Sequence, residues 1–295
     1  MKKSNSVVSA LKWYFMPRRR TDSPFKRTII HIILILLCLI AVYPILRIGT
    51  ISLRPGNRLL STSLRLIPED ATFENFRTVI VNRDFLLWIW NSLVITITTS
   101  LLGVIIASIS AYGASRWNFP GRKAGMIFLL TTQMIPAAML MVPIYIISIK
   151  LGLVNSWRGV VIAYAVSSVP FSIWILKGYY DTIPIELEQA AMIDGTTRLG
   201  AFYRVVLPLS TPSLAIAFLF NFTQVWNDFL IARIMLQRAD FFTWPLGLQR
   251  MQGQFQTQWG EFAAAALMVS IPVMILFQLS SKWLISGLTL GSVKG

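Results

Sequence analysis

Residues 29–46 read IIHIILILLCLIAVYPIL, a run without a single Asp, Glu, Lys or Arg, entered from a strongly basic arm at residues 1–28. Crossing a bilayer as a helix takes about 20 predominantly apolar residues, and this run has that length. A cleaved signal peptide is a poor match. The basic region is too long, and the run closes on Tyr43-Pro44-Ile45-Leu46-Arg47 with no small-residue cleavage site, so it reads as a retained helix. The whole chain has the same character: 55% of its 295 residues are hydrophobic and 13% charged, where soluble domains carry about a quarter charged.

Five more apolar blocks follow, at 92–111, 124–149, 159–176, 214–231 and 262–285. The expected fold is therefore an all-α integral membrane protein of six transmembrane helices, with domain-scale parts at 1–28 (arm), 29–285 (spans) and 286–295 (tail). Eight of the 27 basic residues lie in the arm, which the positive-inside rule places in the cytoplasm. With that orientation the inner segments hold 14 basic residues against nine in the outer loops, and an even number of spans returns the C-terminus to the cytoplasm. The net charge of +15 is thus a membrane-orienting feature, without the clustered face that a nucleic-acid partner requires. Pro136, Pro143, Pro170 and Pro272 fall inside the spans and read as kinks, which bundles tolerate and alternating-access transporters exploit. Cys38 is the only cysteine, which excludes an internal disulfide and a multi-cysteine metal site.

Between the fourth and fifth spans lies a cytoplasmic loop at 183–212 that reads as two short helices joined at a glycine. Pro184 fits a first helical turn, and Glu186 and Glu188 suit the positive end of the helix dipole. Gly195 supplies a left-handed C-terminal residue. Leu199, Phe202, Tyr203 and Val206 follow at i, i+3, i+4, i+7 as an amphipathic stripe, and Pro208 ends it. A rigid pair with small alanines and an exposed aromatic can enter a cleft on a cytoplasmic partner and pass its motion to the spans. An interfacial helix on lipid fits less well, because the first helix is acidic and anionic headgroups would repel it.

This loop resembles the Glu-Ala-Ala loop of binding-protein-dependent ABC importer permeases: Gln189-Ala190-Ala191, Gly195, Val205 and Leu207-Pro208 match its pattern. Gln189 stands where the family usually has Glu, and Glu188 beside it is the candidate to supply the missing charge. Asn91-Ser92, the run Ala111-Tyr112-Gly113-Ala114-Ser115-Arg116, Pro120-Gly121-Arg122 and Trp226-Asn227-Asp228-Phe229 look like carbohydrate importers. Trp259-Gly260-Glu261-Phe262-Ala263 and the C-terminal stretch from Gly287 to Gly295 look like the smaller permease of maltose-type transporters. The resemblance implies a sugar importer, maltose- or maltodextrin-like, in the plasma membrane of a bacterium or archaeon. It implies a second permease subunit, an ATP-binding-cassette ATPase homodimer and an extracytoplasmic sugar-binding protein as partners, and no cofactor. Contacts with the ATPase are expected from Glu186, Glu188, Gln189, Ala190, Ala191, Asp194, Gly195, Phe202 and Pro208, and from Gly291, Ser292 and Lys294 of the tail. Glycerol phosphate or an unrelated oligosaccharide is the alternative cargo.

No Gly-x-x-x-x-Gly-Lys-Ser/Thr phosphate loop occurs, so the ATPase must be a separate chain. Within the spans, Asn221, Gln224 and Asp228 share one face of the fifth helix. Asn221 and Gln224 read either as a strip for sugar hydroxyls or as glue against the partner permease. Asp228 is a path candidate that, near the outer end, better fits a solvated or salt-bridged residue, and Gln133 beside Pro136 is a further path candidate. Trp226 and Tyr164 fit an interfacial aromatic belt better than a sugar-stacking platform. An intramembrane hydrolase would need a nucleophile with a base or paired acids, which a lone His31 and one carboxylate do not provide; a channel would need no docking loop.

Overall fold

The computed structural model describes residues 23–56, 65, 67–252 and 257–290. Among the described residues every regular element is helical, and they gather into two units: those falling within Met1–Asn75 and Trp259–Ala264, and those within Phe76–Gln258 and Ala265–Gly295. The basic arm lies almost wholly outside the described residues.

In the first unit, α1 spans Pro24–Ser52. Ser23 caps it by accepting from the Lys26 N–H at 3.3 Å, and Pro24 at the first position forgoes no helical bond. Apolar side chains are exposed along its length, Leu39 at 63% and Ile40 at 69%. A helix apolar all round needs lipid or protein about it. Beyond its end, Asn75 Nδ2 donates to the carbonyls of Ser52 and Arg54, each at 2.8 Å. Gly260 makes room for that amide, since a Cβ there would stand 2.5 Å from Asn75 Nδ2. This accounts for the glycine in the Trp-Gly-Glu-Phe-Ala stretch.

The short α2 (Glu74–Asn82) leads to α3 (Phe85–Arg116), the backbone of the second unit. α4 (Arg122–Thr132), α5 (Ala137–Lys150), α6 (Trp157–Tyr180), α7 (Ile185–Ile193), α8 (Arg198–Leu209) and α9 (Thr211–Trp226) come next. α10 (Leu230–Met235), α11 (Trp244–Met251) and α12 (Trp259–Leu290) complete the order. α3 packs most extensively on α6, and α9 lies against both. The sequence permits this because α3 buries Ser100, Gly103, Ala107, Ser108 and Ala111 on one face, and small residues let helix backbones approach in a membrane. Asn91 and Ser92 of α3 fix the chain before α11: Asn91 Nδ2 donates to Asp240 O at 2.8 Å and Phe242 O at 3.0 Å, and Ser92 Oγ accepts from Trp244 N.

Two expected spans are broken. Block 124–149 divides into α4 and α5, whose axes differ by 100°. The cause is Pro136, which precedes α5 with φ −56° and ψ 130°; it has no N–H to continue α4, and it biases the residue before it out of helical geometry. Pro143 sits inside α5 without ending it. Block 214–231 is also interrupted: α9 ends at Trp226, residues 227–229 are non-helical, and α10 resumes at Leu230. At its other end α9 is entered from α8 through a 75° bend. α12 runs on to Leu290, past the expected limit at 285 and into the segment read as tail. α1, α3, α6 and most of α12 are long and apolar enough to cross, and each bent pair taken as one span makes six.

Candidate functional site

The loop at 183–212 folds as α7 and α8 around Gly195, whose φ of +92° lies where a Cβ is disfavoured. Gly195 N donates to Met192 O and Thr196 N to Ala191 O, both at 3.1 Å, so the helix end is closed by backbone bonds. Thr197 Oγ1 accepts from Gly200 N at 3.1 Å and starts α8. Pro184 leads into α7 one residue before its first turn.

α8 contains a wide π-type turn at Phe202–Val206, with the Leu207 N–H bonded back to Phe202 O. Pro208 has no N–H for Arg204 O, and its ring crowds that carbonyl, so the wider turn relieves the clash. The helix therefore continues through Pro208 and ends after Leu209. The wide turn also splits the expected amphipathic stripe. Phe202 and Val206 are buried, whereas Leu199 is 62% and Tyr203 55% exposed. Phe202 is not the exposed aromatic; its ring lies 4.4 Å from that of Tyr112, and Tyr203 takes the outward position.

Glu186, Gln189, Ala190, Asp194 and Gly195 are exposed on α7 and its end, with Ala191 half-buried. Ile185, Leu187 and Ile193 are exposed beside them. Glu188 turns the other way, so it cannot lend its charge to a partner in place of Gln189. Its Oε2 accepts from Tyr112 OH at 2.6 Å and its Oε1 from Arg116 Nε at 2.5 Å. Arg116 also donates to the carbonyls of Tyr180 at 3.0 Å and Ile183 at 3.1 Å. One guanidinium thus joins the end of α3, the end of α6 and α7. Sequence reading passed over Arg116 and Tyr112 as members of this site; their presence in the Ala-Tyr-Gly-Ala-Ser-Arg run was the available signal. Gly291, Ser292 and Lys294 lie outside the described residues.

A second feature forms where the two breaks meet. A cavity of about 540 Å³ lies between the α4–α5 break, α6 and the α9–α10 break, lined by Gln133, Tyr164, Ser167, Gln224 and Asp228 among others. Asp228 Oδ1 accepts from Tyr164 OH at 3.0 Å and from Ile231 N at 2.9 Å, which fixes the start of α10. Non-helical backbone at membrane depth is tolerated where it is buried or lines a cavity. Asn221 does not share this space. It is 1% exposed, its Oδ1 accepts from Ser172 Oγ at 2.9 Å, and a Cβ on Gly103 would touch its Nδ2 at 3.0 Å. It ties α9 to α6 within the chain and packs against α3 at Gly103, whereas the expected glue was toward a second permease. Tyr164 and Trp226 are likewise buried rather than belt residues; Trp226 Nε1 donates to Val269 O at 3.2 Å and its ring stacks on Phe222.

Long apolar helices, with two apolar blocks broken at a shared and mostly apolar cavity that carries a few polar groups, fit a multi-pass membrane protein. In particular, the family model of the binding-protein-dependent transport system inner membrane component matches residues 76–289, and the chain belongs to that family. The galactooligosaccharides transport system permease protein GanQ of Bacillus subtilis is 32% identical over 269 residues, spanning 90% of this chain and 94% of GanQ. The maltose/maltodextrin transport system permease protein MalG of Escherichia coli is 34% identical over 286 residues, spanning 90% and 95%. A crystal structure of a bacterial ABC transporter involved in the import of the acidic polysaccharide alginate contains a chain with the same fold. Its TM-score is 0.77 at 22% identity, over 88% of this chain and 96% of that one.

Proposed function

We propose that this chain is one of two permease subunits of an ATP-driven sugar importer, forming half of the translocation path and coupled to a separate ATPase dimer. The observation that carries the reading is the exposed α7–Gly195–α8 pair, with Ile185, Leu187, Leu199 and Tyr203 left uncovered. Exposed apolar residues on a short helix pair whose first helix is acidic suit a protein–protein contact. Glu186, Gln189, Ala190, Ala191, Asp194 and Gly195 form the docking face, and Gly291, Ser292 and Lys294 of the tail also meet the ATPase. Both termini are cytoplasmic, and an extracytoplasmic binding protein delivers the sugar.

Gln133, Gln224 and Asp228 line the path. Their amides and carboxylate suit hydroxyl groups, and among the described residues no Lys or Arg lines the cavity. That favours a neutral oligosaccharide, of the kinds named for MalG and GanQ, over an anionic solute such as glycerol phosphate. The test is reconstitution with the second permease, the ATPase and the binding protein in proteoliposomes, with a thiol introduced by Ala190→Cys for cross-linking. Cross-linking to the ATPase and sugar uptake only by the full complex are expected. ATP-driven uptake by this subunit alone, or an introduced thiol that never reaches the ATPase, would end the reading.

A further inference from the structure

Among the nine residues of α7, Glu188 is the one buried side chain. A short surface helix is ordinarily seated by apolar residues on its inner face. Here Ile185, Leu187 and Ile193 are exposed, and the inward anchor is a carboxylate. Its two oxygens are taken by Tyr112 OH and Arg116 Nε of α3. The Arg116 and Glu188 side chains are 9% and 5% exposed, so the charges are shielded from water and depend on each other. Tyr112 acts on both helices of the pair, with its hydroxyl on Glu188 of α7 and its ring against Phe202 of α8. Arg116 also donates to Tyr180 O and Ile183 O, at and just past the end of α6, and to Ser115 Oγ.

α6 also carries Tyr164, at the cavity. Sixteen residues of helix separate Tyr164 from Tyr180, or about 24 Å at the usual rise. A buried ion pair is directional and fails abruptly when one partner is lost, because the other charge is left unpaired. Apolar burial, by contrast, is non-directional.

We propose that Glu188, with Tyr112 and Arg116, is a positioning latch that fixes α7 rigidly to α3 and α6, so that motion of the docked ATPase reaches the cavity without slippage. The inference rests on the docking role given above to α7 and α8. The latch residues touch neither sugar nor nucleotide; they act through the orientation of α7.

The test uses the complete reconstituted complex carrying Glu188→Gln, which preserves shape and removes charge. Sugar taken up per ATP hydrolysed is measured alongside the amount of assembled complex. Uptake per ATP is expected to fall roughly fivefold or more, the lower end of ordinary coupling between distant sites, while binding-protein-stimulated hydrolysis persists. If Glu188→Gln reduces only the yield, with uptake per ATP unchanged in what assembles, Glu188 is merely structural and the latch is overturned. Should that variant fail to assemble, Tyr112→Phe decides: it retains the ring against Phe202 and removes the 2.6 Å bond, and an unaltered ratio overturns the proposal. The Ala190→Cys cross-link, made with the latch residues intact, separates the two readings. Its absence sinks docking, whereas its presence with an unaltered ratio sinks only the latch.

Discussion

Replacing Gly195 isolates a backbone requirement from every other variable. A Cβ at this position would meet nothing within 4 Å, so an added side chain costs nothing in packing. The whole penalty lies in φ, +92°, and an L-residue in left-handed geometry costs about 1–2 kcal/mol. Gly195→Ala should therefore disfavour the observed angle between α7 and α8 by roughly 5–30-fold. Gly195→Asn should be milder, because Asn visits this region more readily. Gly195→Pro should be the most severe: its ring fixes φ near −65°, and the bond from Gly195 N to Met192 O disappears, worth a further 0.5–1.5 kcal/mol or so. The assay is binding-protein-stimulated ATP hydrolysis and uptake in proteoliposomes, normalised to the subunit present. Activity should fall in the order Gly, Asn, Ala, Pro at constant subunit level. Full activity in the proline variant, or a loss of protein from the membrane that accounts for the loss of activity, would refute the argument.

Gln224→Ala should weaken uptake with complex yield intact, whereas Asn221→Ala should lower yield and leave uptake per complex unchanged; both are read on one membrane preparation, and the reverse pattern would return Asn221 to the path. Each lost hydrogen bond is worth about 0.5–1.5 kcal/mol, so the Gln224 defect should be partial. Gly260→Ala places a Cβ 2.5 Å from Asn75 Nδ2 and should release the Ser52 and Arg54 carbonyls, lowering thermal stability of the detergent-solubilised complex; an unshifted unfolding temperature would show that Asn75 can move at no cost. Gly247→Ala would drive a Cβ into the Trp88 ring, and its expected result is a sharp loss of folded protein in the membrane, detectable as protease sensitivity.

The apolar blocks were legible because the bilayer imposes a length and a composition that nothing else in the chain imitates. The breaks were not. Pro136 and Pro143 are the same residue seven positions apart, yet one separates α4 from α5 and the other is absorbed within α5; only the packing around them makes the difference. The helix–glycine–helix form of the 183–212 loop was visible in Gly195 and its flanking helices, but its outward face was misassigned. Reading Leu199 to Val206 at 3.6 residues per turn joins four side chains that the π-type turn at Phe202–Val206 separates. Asn221 and Gln224 stand three positions apart on α9, yet Asn221 is buried and Gln224 exposed, a distinction that spacing alone does not resolve. Glu188 was read for its local dipole, whereas its partner Arg116 lies 72 residues away, beyond any local pattern.

The double engagement of Tyr112 has a consequence for engineering. A designer wishing to drive this permease with a foreign motor would graft another transporter's docking helices between Ile183 and Ser210. The visible face of the graft would be chosen for the new motor, yet the hidden face must still present a carboxylate to Arg116 and an aromatic ring to Tyr112. A chimera matched only on its outer surface would bind its motor and idle. Carrying Tyr112 and Arg116 across with the graft, or retaining Glu188 and Phe202 beneath a new exterior, makes the exchangeable unit a discontinuous one, part loop and part end of α3.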